Sequence, residues 1–117
     1  MVIFITGRAG AGKTTLANQL ITDHTIVLDG DDYRHYFPKG YSSEDITAHV
    51  IDMAKTAAML EAQGFLVVVA AIMPYRNLRK LVRSFCQASV LIYLDGGQMW
   101  EGTEYEVPGK EELCLIQ

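Results

Sequence analysis

Apolar positions in this chain fall into short unbroken runs separated by stretches with a helical repeat. Residues 2–5, 25–28, 65–71 and 90–94 form the runs, rich in Val, Ile and Leu. Runs without polar alternation suit parallel strands covered on both faces. Between the second and third, Ile46, Val50, Met53, Ala54, Ala57 and Leu60 recur at the spacing of one helix face. That pattern predicts a helix over 42–63, capped by Ser42 or Ser43 and ended at Gly64. Leu78, Leu81, Val82 and Phe85 predict a shorter helix over 76–86, and residues 112–116 read as a last strand. Five strands and three principal helices, the first starting at Lys13, give a three-layer α/β unit with right-handed crossovers. The expected sheet is mostly parallel, in the order 2-3-1-4-5, and 1–117 reads as one domain.

The first run leads into Gly7-Arg8-Ala9-Gly10-Ala11-Gly12-Lys13-Thr14-Thr15 and then a helix start. This is the order of a phosphate-binding loop, strand to Gly-rich turn to helix. Gly7, Gly10 and Gly12 allow tight backbone turns, so successive amides can face one anion. Lys13 is placed to reach the outer phosphates of ATP, and the Thr14 hydroxyl to ligate Mg²⁺. A plain connecting turn would not account for Lys13 followed by two threonines.

Composition narrows the class. Half of the 117 residues are hydrophobic, which argues against disorder, and a net charge of −4 gives no support for binding duplex nucleic acid. The apolar start is too short for a signal peptide or a membrane span, so the expected setting is cytoplasmic. Cys86 and Cys114 lack metal-ligand spacing, in keeping with a reducing compartment. A dimer is expected if a second copy supplies cover to the site.

The carboxylates decide between binding and catalysis. Asp29-Gly30-Asp31-Asp32 follows the second run, and ligands of open α/β sheets lie beyond the strand C-termini. Asp29 is the candidate for the Mg²⁺ hydration shell, and Asp31 for orienting or deprotonating an acceptor hydroxyl. An ordinary Asp-Gly turn is the competing explanation. Asp95, followed by two glycines, is the weaker metal candidate. Arg34 and Arg76 also follow strand ends, where a guanidinium fork would match an anionic acceptor, or either could form a surface ion pair. Arg79, Lys80 and Arg83 read as a solvated helix face. Phe37 and Tyr41 either stack on a base or bury the loop on the acceptor side. His24, His35 and His49 share no ligand spacing.

These segments resemble the adenylylsulfate kinase family. The resemblance runs through Phe4–Gly7, Gly10–Ala17, Leu28–His35, Gly40-Tyr41-Ser42, the long helix and Ile72-Met73-Pro74-Tyr75-Arg76. It implies an ATP-dependent phosphotransferase acting on a hydroxyl of an adenylyl sulfate-like nucleotide, with Mg²⁺. It further implies Asp31 as the acceptor-positioning acid, Arg34 as a phosphosulfate contact and Tyr41 beside the acceptor adenine. Pro74, Tyr75 and Arg76 would shape the acceptor pocket.

The departures from the family pattern are specific. Ile46 stands where the family usually has arginine, His49 where it has asparagine and Asp52 where it has arginine. A basic lid is expected after the fourth strand, yet Tyr105-Glu106-Val107-Pro108, which resembles the segment beyond that lid, follows almost at once. The shortening amounts to roughly twenty residues of the cover that seals such a site. A covering C-terminal helix is also missing from the expected pattern. Two alternatives therefore stand beside the kinase reading: a different nucleotide acceptor, such as a cytidine diphosphate derivative, or a nucleotide-binding pseudoenzyme or interaction protein.

Overall fold

A computed structural model describes residues 1–100 and 102–113. Its elements run β1 (Val2–Thr6), α1 (Lys13–Gln19), β2 (Thr25–Asp29), α2 (Gly30–Tyr36), α3 (Ser43–Ala62), β3 (Leu66–Ala70), α4 (Arg76–Arg83) and β4 (Ser89–Tyr93). All strand pairs are parallel, in the order β2-β3-β1-β4. That is the expected order for its first four strands.

The side-chain alternation of β3 explains the layers. Val67 and Val69 join Val2, Phe4, Val50, Met53, Ala57 and Val82 in a larger core under α3 and α4. Val68 and Ala70 point the other way, into a smaller core with Ile5 and Ala17 of α1. Both faces of the central strands are thus covered, which is why their sequences lack polar alternation. Register aligns the functional edge: Ala70 is paired with Ile5 on one side and with Asp29 on the other.

Local chemistry sets the helix ends. Ser42 Oγ accepts from the Asp45 amide at 3.1 Å, capping α3. Gly64 follows with φ +98°, where a side chain would be strained. Buried Glu61 near the end of α3 accepts from the Gln87 and Ala88 amides at 2.8 and 3.2 Å, tying that helix to the start of β4. No described helix is long and apolar enough to cross a membrane.

Four expectations are corrected. Residues 30–36 form a helix rather than a bare acidic turn, because Asp29 caps it. Helix α4 stops at Arg83, since the Phe85 and Cys86 amides turn back to Val82 and Arg83 in three-residue steps. Glu112 and Leu113, expected in a fifth strand, lie in a turn, and 114–117 are outside the described residues.

The fourth correction concerns the solvated face proposed for α4. Lys80 is exposed, but Arg79 is 1 % exposed and Arg83 is partly buried. Arg79 donates to Glu112 at 2.7 Å, to the Met73 carbonyl at 2.8 Å and to the Glu106 carbonyl at 2.7 Å. Arg83 donates to the Glu112 carbonyl and to Ser89. The two arginines bind the segment after β4 back onto the sheet.

Candidate active site

The phosphate loop connects β1 to α1 in a conformation that its glycines make accessible. Gly10 and Gly12 have φ of +81° and +99°. A Cβ on Gly7 would lie 2.6 Å from the Leu94 carbonyl oxygen, so any side chain there would force the loop off β4. Gly12 occupies the cap position of α1 and offers no side chain to it, so the first helical amides are left for another acceptor. Lys13 Nζ donates to the Gly7 and Arg8 carbonyls at 2.9 and 2.8 Å. Burial lowers the Lys13 pKa, while Asp29 and Asp31 oppose that shift.

Asp29 links this loop to the acidic helix. It accepts from Thr14 Oγ1 at 2.5 Å through Oδ2, and from the Asp31 amide at 2.9 Å through Oδ1. The Thr14 hydroxyl and the buried Asp29 carboxylate therefore present two hard oxygens side by side. Such a donor set fits Mg²⁺, which takes few protein ligands and completes its octahedron with phosphate and water.

These groups line a cavity of about 410 Å³. Its floor is the end of β3 and the turn beyond, through Ala70, Ala71, Ile72 and Met73. Met73 has φ +45°, an uncommon conformation for a residue with a side chain, and its carbonyl accepts from buried Arg79. One wall is Ala9, Gly10, Gly12, Lys13, Thr14 and Thr15; another is Asp31 and Arg34 of α2 with Ile46, His49 and Val50 of α3. Arg34 lies over the Tyr41 ring at 4.4 Å. Tyr41 in turn packs on Trp100, with ring centroids 4.8 Å apart.

Trp100 also lines the cavity, and sequence patterning gives no hint of it. Its position depends on the segment after β4, which crosses the phosphate loop. The Gln98 amide donates to the Ala9 carbonyl at 2.9 Å. Gly97 sits so close to Ala9 that a Cβ would overlap its carbonyl oxygen. A close backbone approach at Gly97 is the signal available in the sequence, but a Gly-Gly pair reads equally well as a turn.

The cavity thus gathers Ala9, Gly10, Gly12, Lys13, Thr14, Thr15, Asp29, Asp31 and Arg34. Other expected residues lie elsewhere. Arg8 turns to Tyr93 at 3.0 Å and lies 5.0 Å from the Tyr105 ring centroid. The Arg8 carbonyl accepts from the Ala11 amide. Pro74 is buried, with its carbonyl accepting from the Glu106 amide at 2.8 Å. Tyr75 packs against the larger core. Arg76 pairs with Glu112 at 3.1 Å and donates to the Val107 carbonyl at 2.9 Å. These last three are not among the residues that line the cavity. Phe37 packs on Tyr33, and Asp95 on its own turn and Tyr93.

Similarity to known proteins covers the phosphate loop and both walls of the cavity. The model of the adenylylsulphate kinase family matches residues 1–99. An adenylyl-sulfate kinase of Pseudomonas aeruginosa is 41% identical over 90 residues, covering 70% of this chain and 46% of that protein. A probable adenylyl-sulfate kinase of Bacillus subtilis is 34% identical over 95 residues, 74% of this chain and 48% of that protein. The chain therefore spans about half the length of these curated relatives. Among solved structures, the hexameric APS kinase from Thiobacillus denitrificans superposes with a TM-score of 0.76 at 28% identity, covering 92% of this chain and 23% of that one. The Mycobacterium tuberculosis APS kinase in complex with AMPPNP and APS gives 0.70 at 28% identity, with 80% and 61% covered. With the family model spanning residues 1–99, phosphate loop and cavity walls included, the chain belongs to the adenylylsulphate kinase family.

Proposed function

We propose that this chain is an ATP-dependent phosphotransferase that moves the γ-phosphate to a hydroxyl of an adenylyl sulfate-like nucleotide. The observation that carries the reading is the continuous link from Thr14 through Asp29 to Asp31 along one cavity. It sets the phosphate loop and a candidate acceptor acid at a fixed separation, and phosphoryl transfer depends mainly on such positioning.

In this reading the loop amides and Lys13 hold the ATP phosphates. Lys13 leaves the Gly7 and Arg8 carbonyls to reach the outer phosphates. Thr14 and Asp29 would hold Mg²⁺, which would supply charge neutralisation on the phosphate oxygens. Asp31 accepts the hydrogen bond of the acceptor hydroxyl and takes its proton as transfer proceeds. Arg34 pairs with the anionic group of the acceptor. The setting proposed is the cytoplasm, with a nucleotide-like small molecule as partner and a second copy of the chain as a candidate neighbour.

A second reading, nucleotide binding without turnover, is favoured by one feature. Gly97 and Gln98 lie directly on the phosphate loop, where a longer basic cover is expected from the family pattern. Incubation with ATP and Mg²⁺ and a panel of adenylyl sulfate, a cytidine diphosphate derivative, nucleosides and a 5′-hydroxyl oligonucleotide separates the readings. Mass-resolved formation of phosphorylated adenylyl sulfate supports the kinase. ATP binding with no phosphorylated acceptor supports the second reading.

A further inference from the structure

The ladder between β1 and β3 ends at the pair Ile5 and Ala70. From there β1 continues through Thr6 into Gly7 of the phosphate loop, while β3 continues to Ile72 and Met73 of the cavity floor. One side chain joins the two beyond the ladder. Thr6 is fully buried, and its hydroxyl lies 2.5 Å from the Ile72 carbonyl oxygen and 3.3 Å from that of Met73. The same hydroxyl lies 2.8 Å from the hydroxyl of Tyr105. A carbonyl can only accept, so the single Thr6 proton goes to Ile72 and Tyr105 donates to Thr6. Tyr105 is itself held: its ring stacks on Tyr93, the β4 partner of Thr6, with centroids 5.9 Å apart. The guanidinium groups of Arg8 and Arg79 approach the same ring at 5.0 and 5.6 Å, within range of a cation–π attraction. Arg79 also donates to the Met73 carbonyl at 2.8 Å, so Tyr105 adjoins the donors to both floor carbonyls.

We propose that Thr6 is a positioning residue for phosphate transfer: with Tyr105 fixing its hydroxyl, it ties the start of the phosphate loop to the cavity floor. The proposal rests on the kinase reading above. The loop holds the donor phosphates and the floor bounds the space left for the acceptor, so the Thr6 bond sets the separation of the two reacting groups. Thr6 does not line the cavity and touches neither substrate. Its effect therefore falls on the transfer step, which is sensitive to small misplacements, and not on the binding of either nucleotide. Burial alone does not call for a threonine here. A valine would fill the same space and leave the Ile72 carbonyl and the Tyr105 hydroxyl without this partner.

The test measures transfer from ATP and Mg²⁺ to adenylyl sulfate by the full chain, per site titrated with AMPPNP. Thr6→Val should lower kcat about tenfold or more, given that about 1 Å of misplacement costs about a hundredfold. Both KM values should stay within about twofold, the mark of a loss confined to the transition state. Thr6→Ser keeps the hydroxyl and should recover most of kcat, although it packs less well. Tyr105→Phe frees the Thr6 proton to turn and should fall between the two, which keeps the test open if Thr6→Val does not fold. A second readout needs no turnover. Ile72-Met73 is the single Ile-Met step of the chain, so carbonyl-¹³C isoleucine combined with ¹⁵N methionine reports the Ile72 carbonyl alone. AMPPNP with Mg²⁺ should shift that signal in the wild type and leave it unmoved in Thr6→Val. Transfer by the wild type with unchanged kcat in folded Thr6→Val and Tyr105→Phe overturns the proposal and leaves the kinase reading standing. So does a Thr6→Ser variant no faster than Thr6→Val. A wild type that transfers nothing overturns the kinase reading. The tie between loop and floor then stands if the Ile72 signal answers to AMPPNP through Thr6, and falls if it does not.

Discussion

Thr14 Oγ1 lies 2.5 Å from Asp29 Oδ2, joining the first turn of α1 to the end of β2. Asp29 is therefore both the cap of α2 and the partner of the phosphate loop. The two roles separate by substitution. Asp29→Asn keeps the cap and should change stability by less than about 0.5 kcal/mol, because Asn and Asp cap equally well. It should still lose the tightening of ATP binding by Mg²⁺. Asp29→Ala should lose that tightening and a further ~1 kcal/mol of stability. Thermal melts combined with ATP titrations with and without Mg²⁺ measure both effects.

Lys13 connects loop geometry to pH. Removing its ammonium in Lys13→Ala should abolish measurable ATP binding or reduce it by about a hundredfold, a loss typical of a charge-assisted contact in a buried site. The ammonium of the free protein titrates below the usual lysine value because it is buried. ATP affinity in the wild type should therefore fall as pH rises through that lowered pKa. A calorimetric pH series shows it, and Lys13→Arg, whose charge does not titrate, should flatten it.

Glu112 anchors the segment after β4 to Arg76 and Arg79. Burial would raise its pKa, but bonds from Arg79 and the Gly109 amide and the charges of both arginines outweigh burial and hold it low. A carboxylate with a depressed folded pKa contributes stability that is full above its unfolded value and is lost as pH falls through the folded one. Glu112→Gln should cost about 3 kcal/mol near neutral pH, since Arg79 is left buried and without its charged partner. The gap to wild type should close in acid, as pH falls through the depressed folded pKa of Glu112. Denaturant melts across that range are the check.

Trp100 is the sole tryptophan of the chain and lines the cavity while packing on Tyr41. Its fluorescence should change when nucleotide enters and should saturate with the binding isotherm. Trp100→Ala should weaken acceptor binding by about tenfold, the scale of a lost aromatic contact with its buried area. An unchanged emission spectrum on saturation would place the ligand elsewhere.

Much of this site is legible in the sequence because its chemistry is local. Gly7, Gly10, Gly12, Lys13 and Thr14 announce the loop, and four unbroken apolar runs announce the strands. Helix α2 is harder to read: it is seven residues long, starts at a glycine and has no apolar repeat, so only the cap at Asp29 reveals it. Arg79 looks solvated on α4 because its partner, Glu112, lies 33 residues away. Arg76 is drawn from the cavity by the same carboxylate. Trp100 reaches the cavity through the contact of Gly97 with Ala9, a close approach that no periodicity encodes.

Phosphate transfer within this one cavity can be followed directly. Wild type and Asp31→Asn, both with ATP carrying a labelled γ-phosphate, Mg²⁺ and adenylyl sulfate, give the direct measurement. Wild type should place label on the nucleotide acceptor, and Asp31→Asn about a hundredfold less at nearly equal ATP affinity, as loss of general-base assistance requires. Label released solely as inorganic phosphate, or equal transfer by the two proteins, would contradict it.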